Sequence, residues 1–335
     1  MGESYFCCEE WYPTAEWLDH IELDHDNSET LPCPVCGLEM TVLKIRPHVY
    51  GEHLVCCPHA GCFFCSESFD VVEDHIVRTH SKLSSSLQQA DDTSQRIATL
   101  LKSDNRVQNV WLAKYLVLHK VGREDEGFGC GFRNIQNIVA SLVYEPEFRR
   151  ACGFHCTPNI SQIQADIESA WAAGFDPAGA AQLDGRLLGT TKWIGATEAA
   201  IFLQYHSVRI QLVDIKLYPS KCDGQRRLST WVEEYFRSSD PAFPLFFQHE
   251  GHSRTIIGVE KTAAGCNLLI YDPAVDPEKI TLALESFNLE ALSFLRFPPS
   301  SLDRREYQIV AVRGVLPVPY YETAKNFTSF NHVDL

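Results

Sequence analysis

The sequence EGFGCGFRNIQ, residues 126–136, places glycines on both sides of one cysteine and then begins a helical pattern. The apolar residues that follow recur at i, i+3, i+4 and i+7: Ile135, Ile138, Val139 and Leu142. Cys130 is therefore expected in the first turn of a buried helix, where unpaired backbone N–H groups and the helix dipole stabilise a thiolate. This position suits a nucleophile. The alternative is an inert cysteine in a packing turn.

The composition indicates a globular protein with one large domain and a smaller part. The chain has 335 residues, of which 45% are hydrophobic. Its net charge of −15 argues against nucleic acid as a partner, because phosphate binding needs a basic face. The sequence has no apolar run that could span a bilayer and no signal-peptide pattern at Met1, so no membrane partner is expected. The 13 cysteines then indicate a reducing compartment, cytoplasmic or nuclear, and roles as metal ligands or catalysts.

Cysteine clustering separates the chain into two parts. Eight of the 13 cysteines precede residue 66, and the polar segment 81–92 is a candidate boundary. Segment 96–120 is apolar at helical spacing and predicts one or two connecting helices. Beyond residue 122 the pattern mixes helices with strands, which predicts the α+β fold class. The predicted helices cover 134–143, 160–173 and 197–205; the predicted strands cover 208–214, 245–248, 255–260, 268–272 and 308–315.

Two zinc-finger spacings lie in the amino-terminal part. The first has the form C-x2-C-x11-H-x4-H and the second C-x2-C-x9-H-x4-H, and both suit tetrahedral Zn²⁺ in a segment with little core of its own. Cys56, Cys57 and His59 are alternative ligands for the second finger. The predicted metal ligands are Cys33, Cys36, His48 and His53 for the first finger, and Cys62, Cys65, His75 and His80 for the second.

A fainter repeat precedes these fingers. Cys8, His20 and His25 have the spacing of Cys36, His48 and His53, but Tyr5 stands where the partner cysteine would be. Either Cys7 substitutes or this finger is degenerate, and both possibilities stay open. The segment 69–80 before His80 is acidic, unlike the base-contacting helix of a DNA reader, which favours structural or protein-binding fingers.

A cysteine nucleophile needs a histidine, often with a carboxylate or amide behind it. The candidates are His249 and His252 in one segment, and Asp272 and Asp276 in the next.

The segments 255–260 and 268–272 are joined by a short turn and should form a hairpin. If Glu260 pairs near Ala264, His252 lies opposite Asp272 at the open end. Gln248 closes the preceding strand, where its side-chain amide could donate to an oxyanion.

Four motifs, in the order GFGCGFRNIQ, TKWIGATEA, FFQHEGHSRTIIGVE and LLIYDPAVDP, resemble one family. It is the papain-like cysteine peptidases specific for the ubiquitin-fold modifier, and particularly their zinc-finger branch, the ZUFSP-type deubiquitinases. The resemblance covers about residues 95–320. It implies a papain-like cysteine peptidase domain preceded by small zinc fingers and a helical connector, with no cofactor for catalysis besides the structural Zn²⁺ of the fingers.

The resemblance also implies residue roles. Cys130 matches the nucleophile, His252 the base, Asp272 the residue that orients it and Gln248 the oxyanion donor. The segment Trp193, Ile194 and Gly195 matches a core motif near the active site.

Two positions depart from the family pattern. Phe128 replaces a frequent tryptophan, and Ala274 stands where the modifier-specific proteases carry their catalytic histidine. The base is therefore expected to be His252, as in the deubiquitinase branch.

The expected function is a cysteine-type deubiquitinase that cleaves after the C-terminal glycine of ubiquitin and prefers polyubiquitin chains, lysine-63-linked ones above all. The alternatives are a protease for another ubiquitin-like modifier and a catalytically silent zinc-finger adaptor that binds ubiquitin. Ile97, Ala98 and Leu101 resemble a ubiquitin-interacting helix, with a small residue between apolar ones. An amphipathic helix packed on the catalytic domain is the alternative there.

The predicted domain limits follow from these motifs. The segments are a degenerate or partial finger at 1–27, fingers at 28–55 and 56–83, a helical connector with a possible ubiquitin-binding arm at 84–121, the cysteine peptidase domain at 122–320 and a loose tail at 321–335.

Overall fold

The computed structural model divides the chain into two compact units, Met1–Ser81 and Lys82–Leu335. The division falls beside the polar segment 81–92. In the second unit the structure describes residues 93–154, 156–217, 221–325 and 332–334. In the first unit it describes residues 4–7, 10–13, 20–21, 24–26, 29–33, 38–49, 55–56, 65–66, 71–72 and 75.

The described part of the first unit contains three short antiparallel hairpins. The second hairpin leads into the helix Val42–His48, so that Cys33 lies in the hairpin turn and His48 ends the helix. The core of this segment is small and includes Ile21, Val42 and Ile45. The hairpins pair β1 (Ser4–Cys7) with β2 (Glu10–Pro13), β3 (Thr30–Pro32) with β4 (Glu39–Thr41), and β5 (Val55–Cys56) with β6 (Cys65–Ser66).

An eight-stranded sheet forms the centre of the second unit. Its strands lie in the order β12-β11-β10-β9-β13-β8-β14, and β7 pairs with the far part of β10 beyond the end of β9. All neighbours are antiparallel except β14, which runs parallel to β8. The strands are β7 (Val107–Leu112), β8 (Val208–Lys216), β9 (Leu245–His249), β10 (His252–Thr262), β11 (Gly265–Tyr271), β12 (Arg296–Phe297), β13 (Glu306–Val315) and β14 (His332–Asp334).

Helices cover this sheet and create two apolar clusters. One cluster contains the helix Cys130–Leu142, hereafter the Cys130 helix, and the other contains the helix 93–102. No helix in the described part of the chain is long and apolar enough to cross a membrane. The other helices of the described second unit are Pro146–Cys152, Ile160–Ala172, Pro177–Gln182, Ala196–Tyr205, Lys221–Ser238, Glu278–Glu285 and Tyr321–Ala324, with 3₁₀ turns at Glu290–Leu295, Pro299–Ser301 and Val318–Tyr320.

The Cys130 helix begins at the residue that the sequence pattern indicated. Its apolar face is fully buried, as the i, i+3, i+4, i+7 spacing predicts, because Ile135, Ile138, Val139 and Leu142 are all 0% exposed. The predicted helices and strands of the main domain are all present, within a few residues at their ends. The long helix Lys221–Ser238 was not predicted from the sequence.

The prediction of a helical connector at 84–121 is wrong in its second half. Residues Val107–Leu112 form a strand that pairs with β10, so this segment completes the peptidase sheet. A short run of apolar residues is compatible with either a helix or a strand by periodicity alone. Here the pairing with β10 makes it a strand.

The prediction of a ubiquitin-binding surface at Ile97, Ala98 and Leu101 is also wrong. Ile97 and Leu101 are 0% exposed and belong to the apolar cluster under the sheet, while Ala98 packs against that cluster. The helix 93–102 is therefore the packed amphipathic helix, and its apolar face is already covered by the peptidase domain.

The prediction of a loose tail at 321–335 is wrong for the part that the structure describes. The ring of Tyr321 packs against Phe175 with centroids 5.5 Å apart, and its hydroxyl donates to the carbonyl of Tyr205. Ala324 is fully buried, and β14 adds a parallel strand to β8. Aromatic anchoring thus continues the domain past residue 320.

Because Leu101 lies in the peptidase core, Leu101→Ala should lower the free energy of unfolding of the second unit by about 2–5 kcal/mol, through lost burial and the cavity that remains. Lys102→Ala, on the exposed side of the same helix, is the matched control and should change it by less than about 0.5 kcal/mol. Denaturant unfolding of the full chain measures both. Equal stability of the two variants would contradict the packing of this helix.

Candidate active site

A buried carboxylate holds the turn that precedes Cys130. Asp125 is 1% exposed, and its carboxylate accepts hydrogen bonds from the Gly122 N–H at 2.8 Å and from Arg133 Nε at 2.9 Å. The Gly129 N–H donates to the Asp125 carbonyl at 2.7 Å. A Cβ at Gly129 would lie within 1.8 Å of the Asp125 carboxylate, so only glycine fits there. The turn is thereby fixed with Cys130 at the helix start.

The glycine after Cys130 permits a second close approach. A Cβ at Gly131 would lie 2.6 Å from Ile194 Cγ1, which packs on the helix at this point. Ile194 is 7% exposed, whereas its neighbour Trp193 is 61% exposed. The segment 193–195 therefore anchors one wall of the site through Ile194 and presents Trp193 to solvent.

His252 and Asp272 meet where β10 begins and β11 ends. His252 Nε2 lies 2.9 Å from Asp272 Oδ2. The contact agrees with the sequence prediction, but the hairpin register does not. Thr255 lies opposite Tyr271, whereas the predicted register placed it opposite Leu269.

The shift in register has two local causes. The strands extend to the pair Thr262–Gly265, which leaves a two-residue turn, and a bulge follows Ile256. Asp272 therefore lies opposite Arg254. The side chain of His252, two residues before Arg254 on the same face of β10, extends along the strand to contact Asp272.

Three donors fix the Asp272 carboxylate. Besides His252, Arg254 Nε donates to Oδ2 at 2.8 Å and the Ala274 N–H donates to Oδ1 at 3.0 Å. Burial alone would raise the pKa of Asp272, but these hydrogen bonds outweigh it and hold the pKa well below its usual range. Asp272 is therefore ionised at neutral pH and orients the His252 ring.

Cys130 and His252 line the same two cavities, and hydrogen bonding between them shifts the pKa of both groups. Because Nε2 of His252 faces Asp272, Nδ1 is the ring nitrogen left for the thiol. Burial acts to raise the pKa of Cys130, but hydrogen bonds from His252 and Ser253 outweigh burial and lower it to about 7. Hydrogen bonds with Asp272 and Cys130 raise the pKa of His252 to about 9. A thiolate–imidazolium pair therefore predominates between these two values.

The other two candidate residues, His249 and Asp276, form contacts outside the site of Cys130. His249 Nδ1 donates to the Glu250 carbonyl at 2.8 Å, and its Nε2 lies 2.9 Å from an Arg254 nitrogen. Asp276 forms an exposed ion pair with Lys120. Neither residue lines the cavities that contain Cys130.

Gln248 lies beside the reacting groups. It lines a cavity of about 270 Å³ together with Cys130 and His252, and it lies under Gly195, where a Cβ would be 3.1 Å from its amide. Its buried Oε1 has no hydrogen-bond partner in the described structure. The amide is thus positioned at the site without being committed to a structural partner.

A second cavity forms a groove on the other side of the sulfur. Its volume is about 440 Å³, and glycine-rich backbone lines much of it. Its walls include Glu126, Phe128, Trp193 and Ala274. The arrangement offers a narrow approach for an extended, small-residue segment to the Cys130 sulfur.

Sequence reasoning missed Arg254 and a set of buried polar residues near Cys130. Arg254 could have been found from strand alternation, because it shares a face with His252. Three fully buried polar residues follow Cys130 at i+4, i+7 and i+11 of its helix: Asn134, Asn137 and Ser141. A polar stripe at helical spacing on a buried helix was the available signal.

The predicted zinc ligands are only partly within the described residues. Cys33 is 1% exposed in the turn after β3, and His48 ends the following helix, which suits one tetrahedral finger. His75 is also described, and Cys65 only as part of β6. No group of three candidate ligands occurs among the described residues. The predicted ligands Cys36, His53, Cys62 and His80 lie outside them.

By their sequence positions beside the hairpin of β5 and β6, a different cysteine pair from the predicted one is expected in the second finger. In the first finger, Cys33 directly follows β3 and Cys36 precedes β4 by three residues. The corresponding positions around β5 and β6 are Cys57 and Cys62, because Cys65 lies within β6 and pairs with Cys56. The spacing then becomes C-x4-C-x12-H-x4-H, which is the usual two-cysteine, two-histidine pattern.

The two histidines of the first segment lie close together. The rings of His20 and His25 are 5.2 Å apart, and Nδ1 of each lies within 3 Å of a carboxylate, from Asp24 and Glu29 respectively. Carboxylates hold zinc-ligating histidines in this way. The histidine half thus fits a metal, while the cysteine half stays open between Cys7 and Cys8.

Comparison with known proteins places this site in a family. Residues 106–310, more than half of the chain, match the family model described as peptidase family C78. The chain is 36% identical over 222 residues to zinc finger-containing ubiquitin peptidase 1 of Homo sapiens, covering 63% of this chain and 38% of that protein. It is 33% identical over 167 residues to ubiquitin carboxyl-terminal hydrolase mug105 of Schizosaccharomyces pombe, covering 49% of this chain and 65% of that one.

The shared region is only part of the mammalian relatives. The chain matches about two fifths of their length. Among solved structures, the crystal structure of UfSP from C. elegans matches with a TM-score of 0.44 at 16% identity, covering 65% of this chain and 37% of that one.

The ion pair predicts the pH dependence of Cys130 reactivity. As the pH rises toward about 7, alkylation of Cys130 by iodoacetamide should accelerate about tenfold per pH unit, since the thiolate is the reactive form. Above that pH the rate should level off. Asp272→Asn lowers the pKa of His252, weakens the cationic partner of the thiolate and should move the midpoint to higher pH. Mass spectrometry of the Cys130 peptide follows the reaction. Asp276→Asn is the control and should leave the midpoint unchanged; an equal shift would contradict the assignment.

The hairpin comparison predicts which cysteine holds zinc in the second finger. Cys57→Ser should remove about one zinc ion per full-length chain, because it takes one of four ligands. Cys65→Ser is the matched control and should retain the zinc content. Elemental analysis after exhaustive dialysis measures both variants. Loss of zinc from Cys65→Ser alone would restore the C-x2-C pair.

Proposed function

The chain belongs to peptidase family C78, and from that membership we propose that it is a cysteine-type deubiquitinase, cleaving after the C-terminal glycine of ubiquitin. The single observation that carries the proposal is the arrangement of Cys130 and His252 in one glycine-lined groove, with His252 Nε2 2.9 Å from Asp272 Oδ2. Cysteine peptidases need this combination of an activated thiolate and an oriented acid.

Attack begins at the carbonyl carbon of the C-terminal glycine, which is joined to the lysine amine in the isopeptide bond. The Cys130 thiolate forms a bond to that carbon, and the carbonyl oxygen becomes an oxyanion. Gln248 is the proposed side-chain donor to the oxyanion, together with a backbone N–H at the start of the Cys130 helix. The buried Oε1 of Gln248 has no hydrogen-bond partner in the described part of the chain, which supports a role for this amide at the site rather than in the fold.

Collapse of the tetrahedral intermediate requires a proton for the leaving lysine amine. His252, raised to a pKa of about 9, carries that proton at neutral pH. The neutral imidazole then takes a proton from water, which attacks the thioester and releases the substrate carboxylate. Asp272 keeps the ring oriented through both steps.

The shape of the groove favours a tail such as that of ubiquitin. A narrow, glycine-lined slot admits a Gly-Gly end and excludes larger side chains next to the sulfur. The exposed Glu126 can pair with one basic residue of the ubiquitin tail, while Arg123, which also lines the groove, carries the opposite charge.

Two observations favour ubiquitin over the ubiquitin-fold modifier. Ala274 occupies the position after Asp-Pro where the modifier-specific proteases carry histidine, and relatives at 33–36% identity are named as ubiquitin peptidases or hydrolases. A protease for another ubiquitin-like modifier and a silent ubiquitin-binding adaptor are the alternatives.

A preference for polyubiquitin, with lysine-63-linked chains expected, remains a hypothesis that rests on the family resemblance. The helical arm that was expected to hold a second ubiquitin is packed in the peptidase core through Ile97 and Leu101. A second ubiquitin would need another surface of the chain.

Electrophilic probes test the proposed activity. The full chain should form a covalent adduct with ubiquitin carrying a C-terminal electrophile, and Cys130→Ala should abolish the adduct while keeping the circular dichroism spectrum. The probe built on the ubiquitin-fold modifier should react much more slowly. Reaction with that probe alone would favour the modifier protease, and reaction with neither would favour the adaptor.

Turnover of a ubiquitin–fluorophore substrate tests the choice of base. His252→Ala should lower kcat by about 10³-fold or more, since His252 acts with Cys130 as one catalytic unit. His249→Ala is the matched control, a histidine on the neighbouring strand directly opposite His252. A larger loss in His249→Ala would overturn the assignment of the base.

A further inference from the structure

A buried polar stripe runs along the Cys130 helix where it packs on β10. Asn134, Asn137 and Ser141 are each 0% exposed, and Thr255 on the facing strand is also 0% exposed. Buried amides and hydroxyls are costly unless they are hydrogen-bonded, and aliphatic residues would pack this interface at lower cost. The polar composition therefore calls for a reason beyond packing.

Asn134, Asn137 and Thr255 belong to one continuous chain of hydrogen bonds. The His119 backbone N–H lies 2.7 Å from Asn137 Oδ1, and Asn137 Nδ2 lies 2.9 Å from Thr255 Oγ1. Thr255 Oγ1 lies 2.7 Å from Asn134 Oδ1, and Asn134 Nδ2 lies 3.0 Å from Ser253 Oγ. The chain ends at the serine that follows His252.

The direction of donation is fixed at the far end. A backbone N–H can only donate, so His119 requires an oxygen from Asn137, and the Asn137 amide nitrogen must then face Thr255. Thr255 accepts that hydrogen bond and gives its own hydrogen to Asn134, whose amide nitrogen is left to donate to Ser253. Every bond in the chain therefore donates toward the active site.

Ser253 accepts the hydrogen bond from Asn134 and keeps its own hydroxyl hydrogen to donate. It is 2% exposed and lines the same cavity as Cys130. Hydrogen bonding from Ser253 acts to lower the pKa of the Cys130 thiol.

We propose that Ser253 is a further catalytic residue, whose hydroxyl donates a hydrogen bond to the Cys130 sulfur at the end of this directed chain. The inference rests on the proposed function in one respect, that Cys130 is the nucleophile. Aligned donors polarise one another in a low-dielectric interior, so the chain strengthens the last hydrogen bond. Ser253 thus stabilises the thiolate from the strand side, while His252 does so from the solvent side.

The charged groups around the sulfur do not replace this donor. On β10, His252 supplies the cation, and its charge is balanced by Asp272. From the turn before the helix, Arg123 and Glu126 line the groove with opposite charges. On the helix itself, Arg133 is paired with the buried Asp125. At the far end of the chain, burial lowers the pKa of His119, so it carries no charge at neutral pH.

The test measures the thiol directly and needs no ubiquitin. In the full chain, the pH midpoint of Cys130 alkylation by iodoacetamide is compared between variants by mass spectrometry of the Cys130 peptide. Ser253→Ala should raise the midpoint by about one pH unit, since hydrogen bonds to a charged group are the stronger ones. Ser141→Ala is the matched control, because it removes a buried hydroxyl of the same helix that donates to the Tyr115 carbonyl instead. Its midpoint should not move.

A second pair of variants tests the chain of hydrogen bonds at Thr255, in its middle. Thr255→Val removes the hydroxyl that orients Asn134 and should also raise the midpoint, whereas Thr255→Ser keeps the hydroxyl and should leave it within about 0.2 unit of the original. This pair decides the matter if Ser253→Ala does not fold.

Two results would overturn the inference: an unchanged midpoint in folded Ser253→Ala, or equal midpoints for Thr255→Val and Thr255→Ser. A purely structural chain would lower the unfolding temperature without moving the midpoint. Because alkylation is independent of substrate, failure here is distinct from a failure of the deubiquitinase proposal, which the ubiquitin probe detects.

Discussion

Alternation of side chains along β10 is the constraint on which the site depends. Successive residues of a strand point to opposite sides, so one strand serves two partners at once. His252 and Arg254 reach Asp272 at the end of β11, while Ser253 and Thr255 reach the Cys130 helix. A slip of one residue would exchange these two sets and dismantle both. Pairing of β10 with β7, β9 and β11 holds the register.

The sulfur is brought to this strand by two close backbone approaches. Gly129 leaves room for the Asp125 carboxylate, and Gly131 leaves room for Ile194. A side chain at either glycine would push the turn or the wall segment outward and move Cys130 from His252. The glycines thus position the Cys130 sulfur. Because they have no side chains, they also leave the groove open for a tail of small residues.

Much of this arrangement follows from local sequence signals, and the exceptions have physical causes. The helix at Cys130 and the meeting of His252 with Asp272 follow from periodicity and from a short hairpin turn. The register was wrong by two residues, because neither the two-residue turn nor the bulge has a signal in this sequence. The buried polar stripe on the Cys130 helix was not predicted, because the helix is identified by the spacing of its apolar residues alone. Ile97 and Leu101 were wrongly predicted to bind ubiquitin, because an apolar helical face has the same sequence pattern whether it contacts a partner or packs in the core of its own domain.

The protonation state of His252 tests the central claim, a thiolate–imidazolium pair at Cys130, most directly. Nitrogen-15 chemical shifts of the His252 ring can be read in the full chain at pH 8, between the pKa values of about 7 for Cys130 and about 9 for His252, and assigned by difference from His252→Ala. We expect both ring nitrogens to be protonated at pH 8, and the ring to lose its proton at lower pH in Cys130→Ala. A neutral His252 ring at pH 8 in the unmodified protein would contradict the ion pair.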